Sequence, residues 1–142
     1  MAKSLSAFFA QNAKKIDNRL VAASPRFVDE DGKPMQWEIC CITADENAGI
    51  RKGCMRSVPI PGKRGQYTQE FDSQAYQAKI AARCTVFPNL NDAELQSSYG
   101  VMGAEKLVTT MLTAGEFEDY TREILVLNGF TADDELVEEA KN

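Results

Sequence analysis

The chain contains no histidine. That absence removes the commonest general acid/base near neutral pH and the commonest transition-metal ligand, and with them the Ser-His-Asp and Cys-His triads. None of the four cysteines, Cys40, Cys41, Cys54 and Cys84, stands in a C-x-x-C pair. No apolar run approaches the ~18 residues that a membrane span requires. The opening MAKSLSAFFAQNAKK has neither the apolar core nor the cleavage site of a secretory signal. The expectation is a protein made and kept inside a cell, with its thiols reduced. Phosphate-loop, dinucleotide, H-E-x-x-H and EF-hand patterns are all missing, and PGKRGQ is too short to cradle a phosphate. Carboxylate pairs such as Asp133/Asp134 lie in a run that reads as a solvated tail. These absences point away from an enzyme, a functional metal and a cofactor, and toward a binding function.

What is present is one ordinary domain's worth of chain, 142 residues, enough to bury a core without disulfides or metals. The content, 44% hydrophobic and 26% charged, is that of a globular protein. The net charge of −5 is unevenly placed. From Glu116 onward nine acids face only Arg122 and Lys141, so residues 1–115 are slightly basic and the C-terminal end strongly acidic. Such an end would avoid nucleic acid.

Periodicity assigns the elements. Within residues 1–16 an N-terminal helix is expected over 4–14, with Ser4 as N-cap and Leu5, Phe8, Phe9, Ala13 and Ile16 on one face. It docks on the core or serves as an arm for another chain. Residues of about 19–43 read as a β-hairpin with arms Arg19–Val28 and Met35–Cys41 and the turn DEDGKP. Pro25 limits the first arm to an edge or bulged strand. Met35, Trp37, Ile39 and Cys41 share a face, and Trp37, the sole tryptophan, should anchor the hairpin on the helices. Cys40 and Cys41 then point to opposite faces, as ordinary strand residues rather than a redox pair.

Thr43-Ala-Asp-Glu46 fits a capping box for a helix running to about Met55, weakened by Gly49 and Gly53. SVPIPGKRGQY follows as a loop or irregular hairpin. Arg51, Lys52, Arg56, Lys63 and Arg64 cluster here with no acid between Glu46 and Glu70. A helix over 72–87 carries Tyr76, Ile80, Cys84 and Phe87 as a stripe and stops at Pro88. Asn91-Asp-Ala-Glu94 caps a short helix with Leu95 buried. A further helix follows the Gly100 and Gly103 junction with Val101, Ala104, Leu107 or Val108, Met111 and Leu112 on one face. Thr113-Ala-Gly-Glu116 caps a helix carrying Phe117, Tyr120, Ile124 and Leu127, closed by Gly129. Residues 131–142 read as a final acidic helix or tail. The sum is an α+β fold: a mainly helical single domain, 1–142, with one two-stranded hairpin packed on the helices.

The stretches ASPRFVDEDGKPMQWEI and CTVFPNLNDAELQSSYGVMGAEKLVTTMLTAGEF resemble XkdN-type phage tail assembly chaperones, as do LSAFFAQNAKK and the ending LVEEAKN. The resemblance covers nearly the whole chain. It implies a cytoplasmic helper of the bacterial host, absent from the mature virion. Such a helper binds the tape measure protein, keeps it soluble and helps recruit tail tube protein, in many members through a longer frameshifted form. No catalytic residue carries over.

A holdase for helices needs apolar contact surface beside a charged exterior, and Met35, Met55, Met102 and Met111 are adaptable enough to serve varied helices. The candidate partner-binding residues are Val101, Met102, Leu107, Met111, Phe117 and Tyr120, with Val101 and Met102 between two glycines the foremost. The basic 51–64 run and the acidic end are complementary, so a homo-oligomer is also expected. Two other readings compete. One is a small regulatory or nucleic-acid-binding module using the basic loop 51–64, which the net acidity opposes. The other is a thiol enzyme using Cys40 and Cys41, which the missing histidine and missing C-x-x-C oppose. Membrane partners are not expected.

Overall fold

Strand β2, Trp37–Ile39, lies at the centre of a small sheet in the computed structural model, which describes residues 4–130. The expected acidic helix at 131–142 lies outside the described residues. β2 pairs on one side with β1, Arg19–Val21, in antiparallel register, Arg19 opposite Ile39 and Val21 opposite Trp37. The Asp31-Gly32 turn is present: Gly32 takes a φ of 78°, and Val28 bridges Pro34 beside it. On its other side β2 pairs with β5, Thr85–Phe87, through an irregularity at Glu38/Ile39. The hairpin is therefore two strands of a three-stranded sheet, order β1-β2-β5.

That third strand corrects the helix expected over 72–87. The helix α2, Ser73–Cys84, ends three residues earlier. Proline at 88 disfavours helical backbone at Phe87, Thr85 and Val86 are β-branched, and the open edge of β2 offers partners to their backbone. Tyr76, Ile80 and Cys84 are buried on α2 as expected, whereas Phe87 is 48% exposed on the strand. The basic loop is also more regular than its prolines imply. β3, Met55–Pro59, and β4, Tyr67–Phe71, pair in unbroken antiparallel register from Met55 opposite Phe71 to Pro59 opposite Tyr67. Their connection turns twice, at Gly62 and Gly65, each with a φ of 77° that a side chain would strain.

The remaining helices start where their caps are written. Thr43 accepts from the Glu46 amide to begin α1, Ala44–Lys52. Asp92, rather than Asn91, caps α3, Ala93–Ser98. α4 is Ala104–Met111, and a complete Thr113/Glu116 capping box opens α5, Ala114–Leu127. The helix expected at 4–14 is reduced to one 3-10 turn, Leu5–Phe8, with Ser4 capping it and no buried residue. An isolated stretch this short cannot sustain a helix without a surface to pack on.

The core forms between the inner face of the sheet and helices α2, α4 and α5. Trp37 and Ile39 meet Ile80 and Cys84 of α2, Leu107 and Val108 of α4, and Tyr120 and Ile124 of α5, in one cluster. Trp37 packs edge-on against Tyr120 at 5.1 Å between ring centroids. The Tyr120 hydroxyl shares a 2.6 Å hydrogen bond with Thr85 Oγ1, which itself donates to the Ala81 carbonyl. The sheet edge and α5 are thus joined through a satisfied buried pair.

Candidate functional site

A groove of about 950 Å³ opens between α1, α2 and α4, lined among others by Gly49 and Ile50 of α1, Gly53 just past its end, Ala82 of α2 and Ala104 of α4. Gly49 lies within α1 and Gly53 caps its C-terminal end. Nothing lies within 4 Å of where a Cβ on Gly49 would stand, so bare backbone forms the wall there. Two ion pairs tie α2 to its neighbours along the groove. Arg83 bonds Glu46 of α1 in bidentate fashion, its second contact at 3.1 Å, and Lys79 reaches Glu105 of α4 at 3.8 Å. The Glu46 hydrogen bond pushes the Arg83 guanidinium pKa upward. Such exposed pairs contribute little to stability, roughly 0–1 kcal/mol each.

Met102 stands at the rim of the groove, 91% exposed. Its position is held, not frayed. Two residues past α3, Gly100 takes a φ of 66°, and the Val101 amide returns to the Gln96 carbonyl at 3.1 Å. Gln96 then clasps the loop with its side chain: Nε2 donates to the Leu90 carbonyl at 2.8 Å, and Oε1 accepts from the Gly103 amide at 3.0 Å. Gly103, with a φ of 95°, begins α4 without a side-chain cap. A flexible apolar side chain is in this way presented to solvent from a tightly bonded loop.

The six residues expected to contact a partner divide sharply. Leu107, Met111 and Tyr120 are buried core residues, with exposures of 0%, 5% and 2%. Val101 and Phe117 are half-buried against that core. Met102 alone of the six is fully presented. The faces of α4 account for this: Leu107 and Met111 point inward, while Ala104, Glu105 and Lys106 line the groove. Gln96 and the bare α1 wall were missed. Gly49 was the available signal, since a glycine inside a helix leaves backbone bare as well as weakening the helix.

Three of the four thiols are pushed toward their protonated form. Burial pushes Cys84 up to about 12, and it raises Cys41 and Cys54 as well. A thiol held protonated is a poor nucleophile. The basic run is partly spent within the chain. Arg51 stacks over the Phe71 ring at 4.4 Å, and Arg56 lies 3.7 Å from Glu70 and 3.8 Å from Asp72.

A family model described as the phage XkdN-like tail assembly chaperone protein matches residues 5–141. The chain belongs to that family. The chaperone is 30% identical to the protein YqbN of Bacillus subtilis (strain 168) over 140 residues, 97% of this chain and 93% of that protein. It is 28% identical, over the same shares of each chain, to the phage-like element PBSX protein XkdN of the same organism. The crystal structure of YqbN has a TM-score of 0.75 to the chaperone at 25% identity, covering 92% of this chain and all of that one. The chaperone's α+β domain, two small sheets on a helical core, is therefore a fold shared with an experimental structure. Among its described residues no helix is long and apolar enough to cross a membrane.

Proposed function

We propose that this chaperone acts by binding the tape measure protein in the bacterial host cytoplasm, keeping it soluble during tail assembly, helping to recruit tail tube subunits, and leaving before the virion is complete. The observation that carries the reading is the family match across nearly the whole chain. The groove supports a place for the contact. Small residues and bare helix backbone form part of its wall, four of its charged side chains are paired as Arg83–Glu46 and Lys79–Glu105, and Met102 stands at its rim. Helix-in-groove recognition needs that combination: room for an apolar helix face and an adaptable side chain to seat it. A longer frameshifted product would carry the tube-recruiting function. The chemistry is binding, with no catalytic step.

The test is co-expression with the cognate tape measure protein, followed by pull-down and circular dichroism. Met102→Asp and Gly49→Lys place charge at the rim and in the wall without touching the core. Each should abolish co-purification and leave the spectrum unchanged. Retention should depend only weakly on salt, whereas a nucleic-acid binder would lose affinity steeply. Equal tape measure solubility with and without the protein would refute the reading.

A further inference from the structure

The β3–β4 ribbon pairs with no other strand among the described residues, so both of its edges are open. Along its strands only Val58 and Phe71 are half-buried, while Tyr67 is 65% and Met55 43% exposed. The ladder shows which backbone groups are already spent. At the tip the Ile60 amide donates to the Gln66 carbonyl at 3.0 Å, and at the base the Asp72 amide donates to the Cys54 carbonyl at 2.8 Å. Both contacts lie in the register that sets Arg56 opposite Glu70 and Val58 opposite Thr68. Bonded and unbonded pairs alternate along an antiparallel ladder, so those two pairs are the bonded ones. The amides and carbonyls of Tyr67 and Gln69 therefore point outward, away from β3.

The two edges are not equivalent. On β3 the outward position opposite Tyr67 is Pro59, which has no amide to offer, and Pro61 follows it. Proline in that place blunts an edge against further pairing. β4 contains no proline, and its outward amides are free to pair. We propose that the outer edge of β4 is a docking site for an extended, acidic segment of a partner protein, added as a third strand on the backbone of Tyr67 and Gln69.

Charge selects the occupant. In a chain of net charge −5, residues 55–71 hold Arg56, Lys63 and Arg64 against Glu70 alone. Lys63 and Arg64 stand between the two glycine turns at the tip, at one end of β4. At its other end Arg51 lies over the Phe71 ring at 4.4 Å. A strand laid along β4 thus meets cations at both ends, which favours carboxylates near its termini. Between them, Tyr67 and its cross-strand neighbour Pro59 give an apolar floor for one of its side chains. Strand addition takes its affinity from main-chain hydrogen bonds and its specificity from such alternate contacts. A nucleic acid fits less well: single-stranded binders stack successive bases on several rings, and here Tyr67 is the one aromatic side chain of the ribbon's exposed part.

This inference does not rest on the tape measure reading, whose groove lies between α1, α2 and α4. Its test uses the full-length chain and a short synthetic peptide of alternating glutamate and valine, followed by amide hydrogen exchange. With free peptide at about ten times its Kd, exchange at the Tyr67 and Gln69 amides should slow roughly tenfold. The same peptide with lysine for glutamate, or with its alternate amides N-methylated, should give no protection. Lys63→Glu with Arg64→Glu, at exposed positions of the tip, should weaken binding roughly tenfold or more. Gln69→Pro removes an outward amide, as Pro59 does on β3, and should abolish binding with the melting temperature unchanged. Equal binding of the acidic and basic peptides, protection that survives N-methylation, or tighter binding of a thymidine oligonucleotide to the same ribbon would each overturn the proposal. So would a wild-type dimer in sedimentation that Gln69→Pro dissociates, since the edge would then belong to a second copy.

Discussion

Replacing Trp37 tests the centre of the fold. The side chain is 2% exposed on the middle strand of the sheet, edge-on to Tyr120 at 5.1 Å and tilted against Phe27 at 6.0 Å. Truncating a buried Trp to Ala removes its transfer energy and leaves a cavity, which together cost about 3–5 kcal/mol. Each aromatic pairing adds roughly 0.5–1.5 kcal/mol. Helices α2, α4 and α5 are pinned by other contacts and cannot collapse onto the gap, so Trp37→Ala should fall at the upper end of that range. For a chain of this length, unfolding entropy makes 1 kcal/mol worth roughly 3 °C, so the melting temperature should drop by ~12–15 °C. Trp37→Phe keeps a ring against Tyr120 and should lose about half as much. The assay is urea unfolding followed by far-ultraviolet circular dichroism, because the substitution removes the chain's only tryptophan fluorescence. A loss below about 1 kcal/mol for Trp37→Ala, the scale of surface substitutions, would refute the placement of this residue in the core.

Two further outcomes follow from the polar ties. Glu116 accepts from Arg26 at 2.9 Å, from Ser24 at 2.8 Å and from the Thr113 amide at 2.9 Å, and these bonds hold its carboxyl down to about 2 from an ordinary 4.5. Because the folded pKa is depressed, its stabilisation is full above about pH 4.5 and disappears as pH falls toward 2. Wild type and Glu116→Gln should therefore differ in melting temperature at neutral pH and converge near pH 2; a gap that does not change with pH would refute the ionic role. Gln96→Ala removes both bonds that clasp the Met102 loop and should destabilise the protein by about 1–2 kcal/mol, with faster amide hydrogen exchange at Val101 and Gly103; unchanged exchange there would show that Gln96 does not hold the loop.

What the sequence by itself determined were the features whose cause is local. The caps at Thr43 and Thr113 begin helices because each side chain bonds the amide three residues on. Asp31-Gly32 turns the first hairpin for the same kind of reason, and the alternation around Trp37 and Ile39 set the buried face of β2. The family was legible because it is written in long stretches of residues. Tertiary structure decided whatever needed a partner distant in the chain. Residues 85–87 became strand because β2 had an open edge to fill, and 4–14 lost its helix because no surface received its apolar face. Leu107, Met111 and Tyr120 went into the core while Met102 stayed outside, although all are apolar and close in sequence. An apolar residue signals only that it prefers to leave water. Whether it does so inside its own chain or against another depends on which helix faces meet, and that is fixed by packing across the whole domain.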